Sequence, residues 1–552
     1  MTMTSTPTWN HQLAARNLAE LYLERNRDLT AIFAVCDDGR EFTYQEFWQL
    51  AEQLRCKLMH EGVRPGNRVA VQVEKSMEAL GVFWACVQGG FIFLPLNTAY
   101  TASEISYFLR DAEATAFVVS PQRQNEMLAV AVDANCRIVL TLDDCGGGSL
   151  MEKTSGEVPP TPALSWDDIA AILYTSGTTG RSKGALLSHG NLATNALALV
   201  DLWQFTAQDR LLHALPVYHT HGLFTATNTV IFSGGQMLFR RKFSADDVMA
   251  QMPEATAMMG VPTFYTRLLQ HDGLTRDATR HMRLFISGSA PLLAETHKAF
   301  FQRTGHAVLE RYGMTETSMN ASNPYNAERR AGTVGFALPH IDIRITDPAS
   351  GQPLAKGEDG MIEIKGPNLF KGYWRNPQKT AEDMRTDGYF ITGDLGRFDA
   401  EGYLVISGRA KDLIITGGFN VYPKEIEEIL DGMAAVIETA VIGVPHGDFG
   451  EAVVAVVACD ADIDEATTIV ALKAQLAAFK VPKRILSIRE LPRNAMGKVQ
   501  KAELRKNFGQ LFDVVTEKSP TSGLAARVNA QQIDQMNQCQ ERHNSNAKHK
   551  CC

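Results

Sequence analysis

The most informative segment of the chain is Leu173-Tyr174-Thr175-Ser176-Gly177-Thr178-Thr179-Gly180-Arg181-Ser182-Lys183-Gly184. It completes an apolar run, Ile169 to Leu173, that predicts a buried strand, and a second apolar run starts at Gly184. Hydroxyls and backbone amides solvate phosphate oxygens, glycines allow close approach and positive φ, and lysine adds positive charge. The stretch therefore predicts a phosphate-binding loop between two strands. A polar hairpin turn of ordinary loop residues is the alternative.

This loop differs from the P-loop of nucleotide hydrolases, which ends in Gly-Lys-Ser/Thr and opens a helix. Here Lys183 comes three residues after Gly180, and the next helix starts only near Ser188 or Asn191, either of which can cap it. We therefore expect the phosphate under a strand–loop–strand hairpin and not on a helix N-terminus.

The composition is that of a globular protein with more than one domain. The chain has 552 residues, of which 45% are hydrophobic and 21% are charged, with a formal net charge of −8. This charge argues against a polyanion-binding surface, so nucleic acid is not an expected partner. No apolar run reaches the ~18 residues that span a bilayer, and no signal peptide is expected. Nine cysteines without paired spacing fit reduced thiols and a cytoplasmic location.

Helix and strand patterns alternate up to about residue 300. Thr43-Tyr44-Gln45-Glu46 is a capping box, and Phe91 to Leu96 reads as an apolar strand. The alternation predicts an α/β fold class, with a large N-terminal domain of mainly parallel sheets over residues 1–408 and a β subdomain within it. Residues 409–513 predict a small α+β C-terminal domain, and the polar residues 514–552 predict a disordered tail.

Two clusters follow predicted strands of the large domain. Residues 310–316, Glu-Arg-Tyr-Gly-Met-Thr-Glu, lie at a strand end, where open α/β sheets bind ligands. Their carboxylate and hydroxyl groups suit Mg²⁺ held jointly with a triphosphate, although a charged helix start is the alternative. Residues 287–291, Ser-Gly-Ser-Ala-Pro, form a small-residue turn that leaves room for a flat base or an acyl group.

Two more clusters lie further along the chain. Asp394 ends a glycine turn, and its carboxylate can accept ribose hydroxyls, with Arg409 completing the ribose and phosphate contacts. Lys498 lies on a glycine-containing turn before the last predicted helix. A cation on such a turn can reach a distant site and stabilise charge on a phosphoryl leaving group. A solvated surface lysine is the alternative.

In this order, the clusters resemble the adenylate-forming superfamily of acyl-CoA synthetases, luciferases and peptide-synthetase adenylation domains over about residues 15–513. The resemblance implies that a carboxylate attacks the α-phosphate of Mg-ATP, after which the small domain rotates and CoA displaces AMP. ATP and CoA are then co-substrates, Mg²⁺ is the cofactor, Lys411 is the hinge, and Gly417 and Gly418 line the CoA passage. One departure is Ser182, where many members carry proline, which changes loop stiffness but no contacting group.

The resemblance also implies roles for single residues. The implied catalytic residues are Thr178, Glu316 and Lys498, and the implied metal ligands are Thr175 and Glu316. The residues implied to bind ATP or AMP are Thr175, Ser176, Gly177, Thr178, Thr179, Gly180, Lys183, Gly288, Ser289, Ala290, Glu310, Arg311, Tyr312, Gly313, Thr315, Asp394, Arg409 and Lys498.

The acyl pocket expected from this resemblance carries an excess of cationic side chains. Two histidines and two arginines near one small pocket are costly to bury unless an anion pairs with them. The residues expected to hold the substrate carboxylate are His219, Thr220, His221, Arg283, Ser289, Arg311 and Met319. For single residues the alternative is that Arg283 lies at the surface and that His219 only gates the CoA channel.

Residues 219–224, 260–268 and 310–317 resemble malonyl-CoA synthetases in particular. A dicarboxylate explains the arginines, because one carboxylate is activated while a guanidinium holds the other, with Arg311 the first choice. The large Met319 would keep the pocket short, favouring malonate or methylmalonate. The alternatives are another short-chain, medium-chain or aromatic acyl-CoA ligase, a carrier-protein-loading adenylation enzyme and a luciferase-like oxidative enzyme. Small molecules are the expected partners, and no pattern predicts an oligomeric state.

Overall fold

The structure is a computed structural model that describes residues 13–154, 160–175, 182–416, 419–446, 449–459, 463–494 and 497–512. Over these residues the chain divides into two compact units, 13–392 with 396–406 and 393–395 with 407–512. The domain boundaries expected from the sequence, at residues 408 and 513, stay predictions. The tail expected over 514–552 lies outside the described residues.

The helices begin where the sequence supplies caps. Thr43, Thr101 and Ser188 each form a capping box, so the box expected at Thr43 is confirmed and Ser188 and Asn191 cap one helix together. The α-helices are α1 (Leu18–Arg25), α2 (Tyr44–His60), α3 (Met77–Gly89), α4 (Ala102–Asp111), α5 (Gln124–Asp133), α6 (His189–Leu202), α7 (Thr227–Ser233), α8 (Ala245–Gln251), α9 (Pro262–Leu269), α10 (Ala294–Thr304), α11 (Pro377–Glu382), α12 (Pro423–Asp431), α13 (Glu465–Lys473) and α14 (Lys501–Phe508).

The strands are short and mostly apolar. They are β1 (Ile32–Cys36), β2 (Glu41–Thr43), β3 (Arg68–Gln72), β4 (Ile92–Pro95), β5 (Ala116–Val119), β6 (Ile138–Thr141), β7 (Ile169–Thr175), β8 (Lys183–Ser188), β9 (Arg210–His213), β10 (Gln236–Phe239), β11 (Ala257–Gly260), β12 (Leu284–Ser287), β13 (Leu309–Met314), β14 (Ser318–Ser322), β15 (Phe336–Ala337), β16 (Asp342–Thr346), β17 (Gly360–Lys365), β18 (Phe390–Phe398), β19 (Leu404–Arg409), β20 (Ile414–Thr416), β21 (Phe419–Val421), β22 (Glu438–His446), β23 (Gly450–Ala458) and β24 (Arg484–Ile488).

The large unit is built on two mainly parallel sheets. One sheet has the order β6-β5-β3-β4-β7-β8, and the other has the order β15-β14-β13-β12-β11-β9-β10-β1-β2. Helix α3 is buried along its whole length, and Phe83 and Trp84 place their rings against Phe93 of β4 and Phe232 of α7. A separate sheet, β16-β17-β18-β19, corresponds to the expected β subdomain. This architecture confirms the α/β fold class.

The small unit contains an α+β core. Its sheet runs β21-β20-β23-β22, and β24 pairs in parallel with β23. One face of this sheet packs Ile426 and Leu430 of α12, and the other packs Leu504 and Phe508 of α14. The last helix, expected after Lys498, is α14, whereas the hairpin β20–β21 and strand β24 were not predicted. Short strands next to glycines carry too little periodicity to be identified.

Candidate active site

The predicted phosphate loop connects two antiparallel strands, as the sequence indicated. Thr175 at the end of β7 pairs with Lys183 at the start of β8. The hydroxyl of Tyr107 donates to the Ser182 carbonyl at 2.6 Å, and Lys183 Nζ lies 5.4 Å from the ring centre of Tyr373. Both ends of the loop are therefore fixed. The candidates Ser176, Gly177, Thr178, Thr179 and Gly180 lie outside the described residues.

Glu316 contacts Tyr373, the residue whose ring lies near Lys183 at the start of β8. Its buried carboxylate accepts a hydrogen bond from the Tyr373 hydroxyl at 3.1 Å, and its carbonyl accepts from Phe370 N at 2.8 Å. Burial, and then the nearby Glu316 carboxylate, raise the pKa of Tyr373, which stays a neutral donor. The structure thus connects Lys183 and Glu316 through one tyrosine ring, and Thr175 pairs with Lys183 across the two strands. A carboxylate and a hydroxyl are donors that suit Mg²⁺, so these residues fit the expected ion.

Residues 310–316 lie on a strand and its following turn, not at a helix start. Strand β13 pairs in parallel with β12, placing Glu310 beside Ser287, and then turns at Thr315 into β14. Glu310 is buried and accepts from Gly332 N at 3.2 Å, and Tyr312 is also buried. Gly313 lies opposite Met319, and a β-carbon on Gly313 would be 2.6 Å from the Met319 methyl.

The small-residue turn after β12 makes space for the guanidinium of Arg311. A β-carbon on Gly288 would lie 2.6 Å from Arg311 Nη1, so only glycine leaves this space open. The next residue, Ser289, has a φ of +71°, which is strained for a residue with a side chain and is characteristic of ligand sites. Ala290 follows and is exposed. The turn therefore faces the side chain of Arg311, which belongs to β13.

Arg311 is the most unusual group in this cluster. It is 4% exposed, and no described residue accepts a hydrogen bond from its Nε or Nη2. Burial lowers the pKa of Arg311 to about 9, so the group is still a cation at neutral pH. A buried guanidinium with unused donors is costly unless an anion binds it. Two donors on one planar group match the two oxygens of a carboxylate.

His221 and Thr220 lie at the start of a π-helical turn, His221–Ala226, a conformation frequent at functional sites. His221 Nδ1 is 3.3 Å from Ser289 Oγ, whereas His221 Nε2 and Thr220 Oγ1 have no partner among the described residues. Burial, and then the positive charge of Arg311, lower the pKa of His221, so its imidazole is neutral at neutral pH. His219 is half-buried, and its Nδ1 accepts from the backbone of His221 at 3.4 Å.

Arg283 does not join this cluster, which corrects its assignment as a carboxylate ligand. It precedes β12, whereas Ser289 follows the opposite end of the same strand. Its Nε bonds to Asp209 Oδ1 at 2.6 Å, and its Nη1 bonds to the Trp203 carbonyl at 2.9 Å. An ion pair with a buried aspartate and a helix C-terminus occupy this guanidinium, so its role in the fold is structural.

The remaining candidates belong to the small unit. Asp394 is buried, and its Oδ1 is 3.0 Å from Arg409 Nε. Lys498 is exposed after Gly497, whose φ of +74° closes a turn in which the Asn494 side chain accepts from Lys498 N at 3.0 Å. Lys411 is exposed on the 3₁₀ turn Ala410–Asp412. The candidates Gly417 and Gly418 lie outside the described residues.

Three buried groups around the site were not predicted from the sequence. Tyr373 connects Glu316 with Lys183, Asn195 of α6 donates to the Met319 carbonyl at 2.7 Å, and Lys75 contacts His213 behind the π-helical turn. None of them stands in a recognisable motif, and each contacts a partner more than fifty residues away. Within the described part of the chain, no helix has the length and apolar character needed to cross a membrane.

Comparison with known proteins agrees with this geometry. The model of the "AMP-binding enzyme" family matches residues 20–374, and that of the "AMP-binding enzyme C-terminal domain" matches residues 425–498. Feruloyl-CoA synthase of Amycolatopsis sp is 34% identical over 489 residues, covering 86% of this chain and 96% of that protein. Malonate–CoA ligase of Arabidopsis thaliana is 34% identical over 487 residues, covering 81% of this chain and 79% of that protein.

Among solved structures, ATP-bound MatB from Rhodopseudomonas palustris is 52% identical, with a TM-score of 0.86, covering 89% of this chain and 99% of that one. The chain therefore belongs to the AMP-binding enzyme family and is an AMP-forming acyl-CoA synthetase, an acid–thiol ligase.

Proposed function

We propose that this acyl-CoA ligase is a malonyl-CoA synthetase, which converts ATP, malonate and CoA into malonyl-CoA, AMP and pyrophosphate through malonyl-AMP. The observation that carries the proposal is the buried Arg311 guanidinium with two unused donors beside Gly288 and Ser289. A monocarboxylic acid uses its only carboxylate in the reaction and leaves this cation without an anion. A dicarboxylic acid supplies one carboxylate for the reaction and a second one to pair with Arg311.

The neutral His221 and Thr220 complete the proposed carboxylate site. His221 Nε2 belongs to the ring that contacts Ser289 Oγ, and Oγ1 of the adjacent Thr220 is also buried without a described partner, so we propose that both bond to a carboxylate oxygen. A neutral imidazole donates one hydrogen bond without adding a second buried charge beside Arg311. His219, less buried, lies at the edge of this group. We propose Ser289, Thr220, His221 and Arg311 as the residues that bind the distal carboxylate.

Met319 is the proposed limit on the length of the acid. Its methyl lies against Gly313, and Asn195 holds its backbone from both sides, donating to the carbonyl at 2.7 Å and accepting from the amide at 3.2 Å. Because Met319 lies against Gly313, two residues after Arg311 on β13, we propose that it leaves room only for a short acid. This supports malonate or methylmalonate over longer diacids.

The chemistry proposed for the chain's own residues is electrostatic. Lys183 and the hydroxyls of residues 175–179 bind the phosphates, Asp394 with Arg409 binds the ribose, and Lys498 stabilises charge on the leaving pyrophosphate. We propose Thr175 and Glu316 as the residues that hold Mg²⁺, which when bound would neutralise phosphate charge. Lys411 is the proposed hinge for the thiol step, and Gly417 with Gly418 the proposed CoA passage.

We also propose a cytoplasmic location. The described cysteines, Cys36, Cys56, Cys86, Cys136, Cys145 and Cys459, are all free thiols, which supports a reducing compartment. Imaging of a carboxyl-terminal fluorescent fusion tests the location, and colocalisation with an organelle marker would contradict it.

The experiment for the proposed function is product identification. Purified protein with ATP, Mg²⁺ and CoA is given malonate, methylmalonate, succinate, butyrate or ferulate, and the acyl-CoA formed is measured by mass spectrometry. Ferulate represents the competing aromatic class, because the feruloyl-CoA synthase is as similar in identity as the malonate–CoA ligase. We expect malonyl-CoA as the dominant product. Dominant feruloyl-CoA or butyryl-CoA would overturn the proposal.

A further inference from the structure

Lys75 is a buried lysine that the proposed chemistry does not use. It lies between β3 and the N-cap of α3 and is 7% exposed. Among the described residues its Nζ bonds to His213 twice, at 2.9 Å from the ring Nδ1 and at 2.8 Å from the carbonyl, and it lies 4.3 Å from the centre of the Phe239 ring. A lysine in such surroundings is rare and needs a compensating role.

The partners of His213 define its protonation. Its Nε2 lies 3.0 Å from the carbonyl of Gly222, an atom that can only accept, so the proton is on Nε2. Nδ1 therefore accepts a hydrogen bond from Lys75 Nζ, whose pKa is lowered by burial. Burial, and then Lys75, lower the pKa of His213, which agrees with a neutral ring of this tautomer. Lys75 thus favours the His213 tautomer whose Nε2–H donates to the Gly222 carbonyl.

Gly222 is the point at which this pair reaches the acyl site. Its carbonyl accepts from His213 and from the Thr227 hydroxyl at 2.9 Å, inside the π-helical turn that starts at His221. A β-carbon on Gly222 would collide with the carbonyl of Pro216, so only glycine fits at this close approach. The peptide next to His221 is thereby held by a donor that Lys75 orients.

We propose that Lys75 and His213 are positioning residues for the acid substrate: they hold the π-helical turn so that His221 and Thr220 face the bound carboxylate. The inference rests on the proposed use of His221 and Thr220 for the acid, and it extends that site to a pair from two different sheets. The pair joins the carboxyl ends of β3 and β9, where α/β sheets place their ligands.

The test is a kinetic comparison of Lys75→Met, His213→Phe and His213→Gln. The methionine keeps most of the lysine's volume without its charge, the phenylalanine removes both ring hydrogen bonds, and the glutamine can restore a donor towards Gly222 O. Lys57→Met is the matched control, because Lys57 is also a buried lysine of the large unit but pairs with Glu61 at 2.9 Å on α2. Pyrophosphate release is measured with acid and ATP varied separately, together with the melting temperature.

We expect Lys75→Met and His213→Phe to raise the KM of the acid by about ten-fold or more while the KM of ATP changes little. His213→Gln recovers part of the loss, and Lys57→Met leaves both KM values unchanged. Equal increases in both KM values, or a fall in melting temperature with unchanged acid KM, would show a purely structural pair and overturn the inference. The acid is whichever one wild type prefers, so failure of the malonate proposal appears separately in the wild-type panel.

Discussion

The Arg311 guanidinium lies against the α-carbon of Gly288, where a β-carbon would be 2.6 Å from its Nη1. This contact joins the ends of β12 and β13 and follows from their register, which sets Ser287 beside Glu310. Gly288 is therefore needed for space, not for backbone conformation. Arg311 therefore keeps its position only while residue 288 has no side chain.

Replacing Gly288 with alanine should displace Arg311 and impair use of malonate more than binding of ATP. Arg311 is buried on every side, so it cannot move without cost, and we expect the malonate KM to rise by about ten-fold or more. Gly432→Ala is the control, since the nearest atom to its β-carbon would be a carbonyl at 3.5 Å. Unchanged malonate kinetics in Gly288→Ala would show that Arg311 does not bind the acid.

Replacing Lys498 with alanine should nearly abolish adenylation while sparing the second half-reaction. A contact that forms only as pyrophosphate leaves contributes on the order of 10²-fold or more to the rate. Pyrophosphate release measures the first step, and CoA ester formation from supplied malonyl-AMP measures the second. Equal losses in both steps would contradict the assignment.

Replacing Lys411 with proline should block CoA transfer and leave acyl-AMP formation intact. Domain rotation needs a large dihedral change at a few residues, and proline fixes φ. Lys411 lies on a short exposed 3₁₀ turn, so the substitution is expected to disturb the small unit little. Normal turnover of both steps would place the hinge at another residue.

Replacing Arg283 with leucine should lower stability and leave acid preference unchanged. Asp209 is buried and would lose its partner, at a cost of about 1–3 kcal/mol because Arg283 is itself partly exposed. A changed preference among acids would contradict the structural role of Arg283.

The same substitution gives a pH dependence. Burial raises the pKa of Asp209, but hydrogen bonds from Arg283, Thr256 and Thr206 more than offset this, so its pKa is lowered. A lowered carboxyl pKa stabilises the fold above the unfolded pKa of about 3.9, and the effect is lost as pH falls through the folded pKa. Without Arg283 the Asp209 pKa should rise. The difference in melting temperature between wild type and variant should therefore shrink as pH falls below about 5 and through the unfolded pKa of about 3.9.

Secondary-structure elements were predicted from the sequence more accurately than which side chains lie at the same end of a strand. The Thr43 capping box and the last helix after Lys498 follow from local residue patterns and are confirmed. The assignment of Arg283 to the carboxylate site was wrong because Arg283 is close to the turn at Gly288 in sequence but not in space. A strand advances ~3.3 Å per residue, so side chains at its two ends are more than ~10 Å apart.

The contacts that complete the site depend on the packing of the sheets. Lys75 and His213 are 138 positions apart, and Tyr373 and Glu316 are 57 apart. No local pattern indicates such pairs, because their partners are set by which strands become neighbours. Arg311 was identified from its sequence motif, yet its unused donors became visible only with its surroundings.

The role of Arg311 in binding the acid is decided by kinetics on malonate and on butyrate, compared between wild type and Arg311→Leu. We expect wild type to have the higher kcat/KM on malonate and the variant to lose malonate activity by the equivalent of roughly 2–5 kcal/mol. The variant should also gain on butyrate relative to malonate, because the unpaired buried cation is gone. Equal preference for the two acids in wild type, or unchanged malonate kinetics in the variant, would contradict the reading of Arg311 as the carboxylate-binding residue.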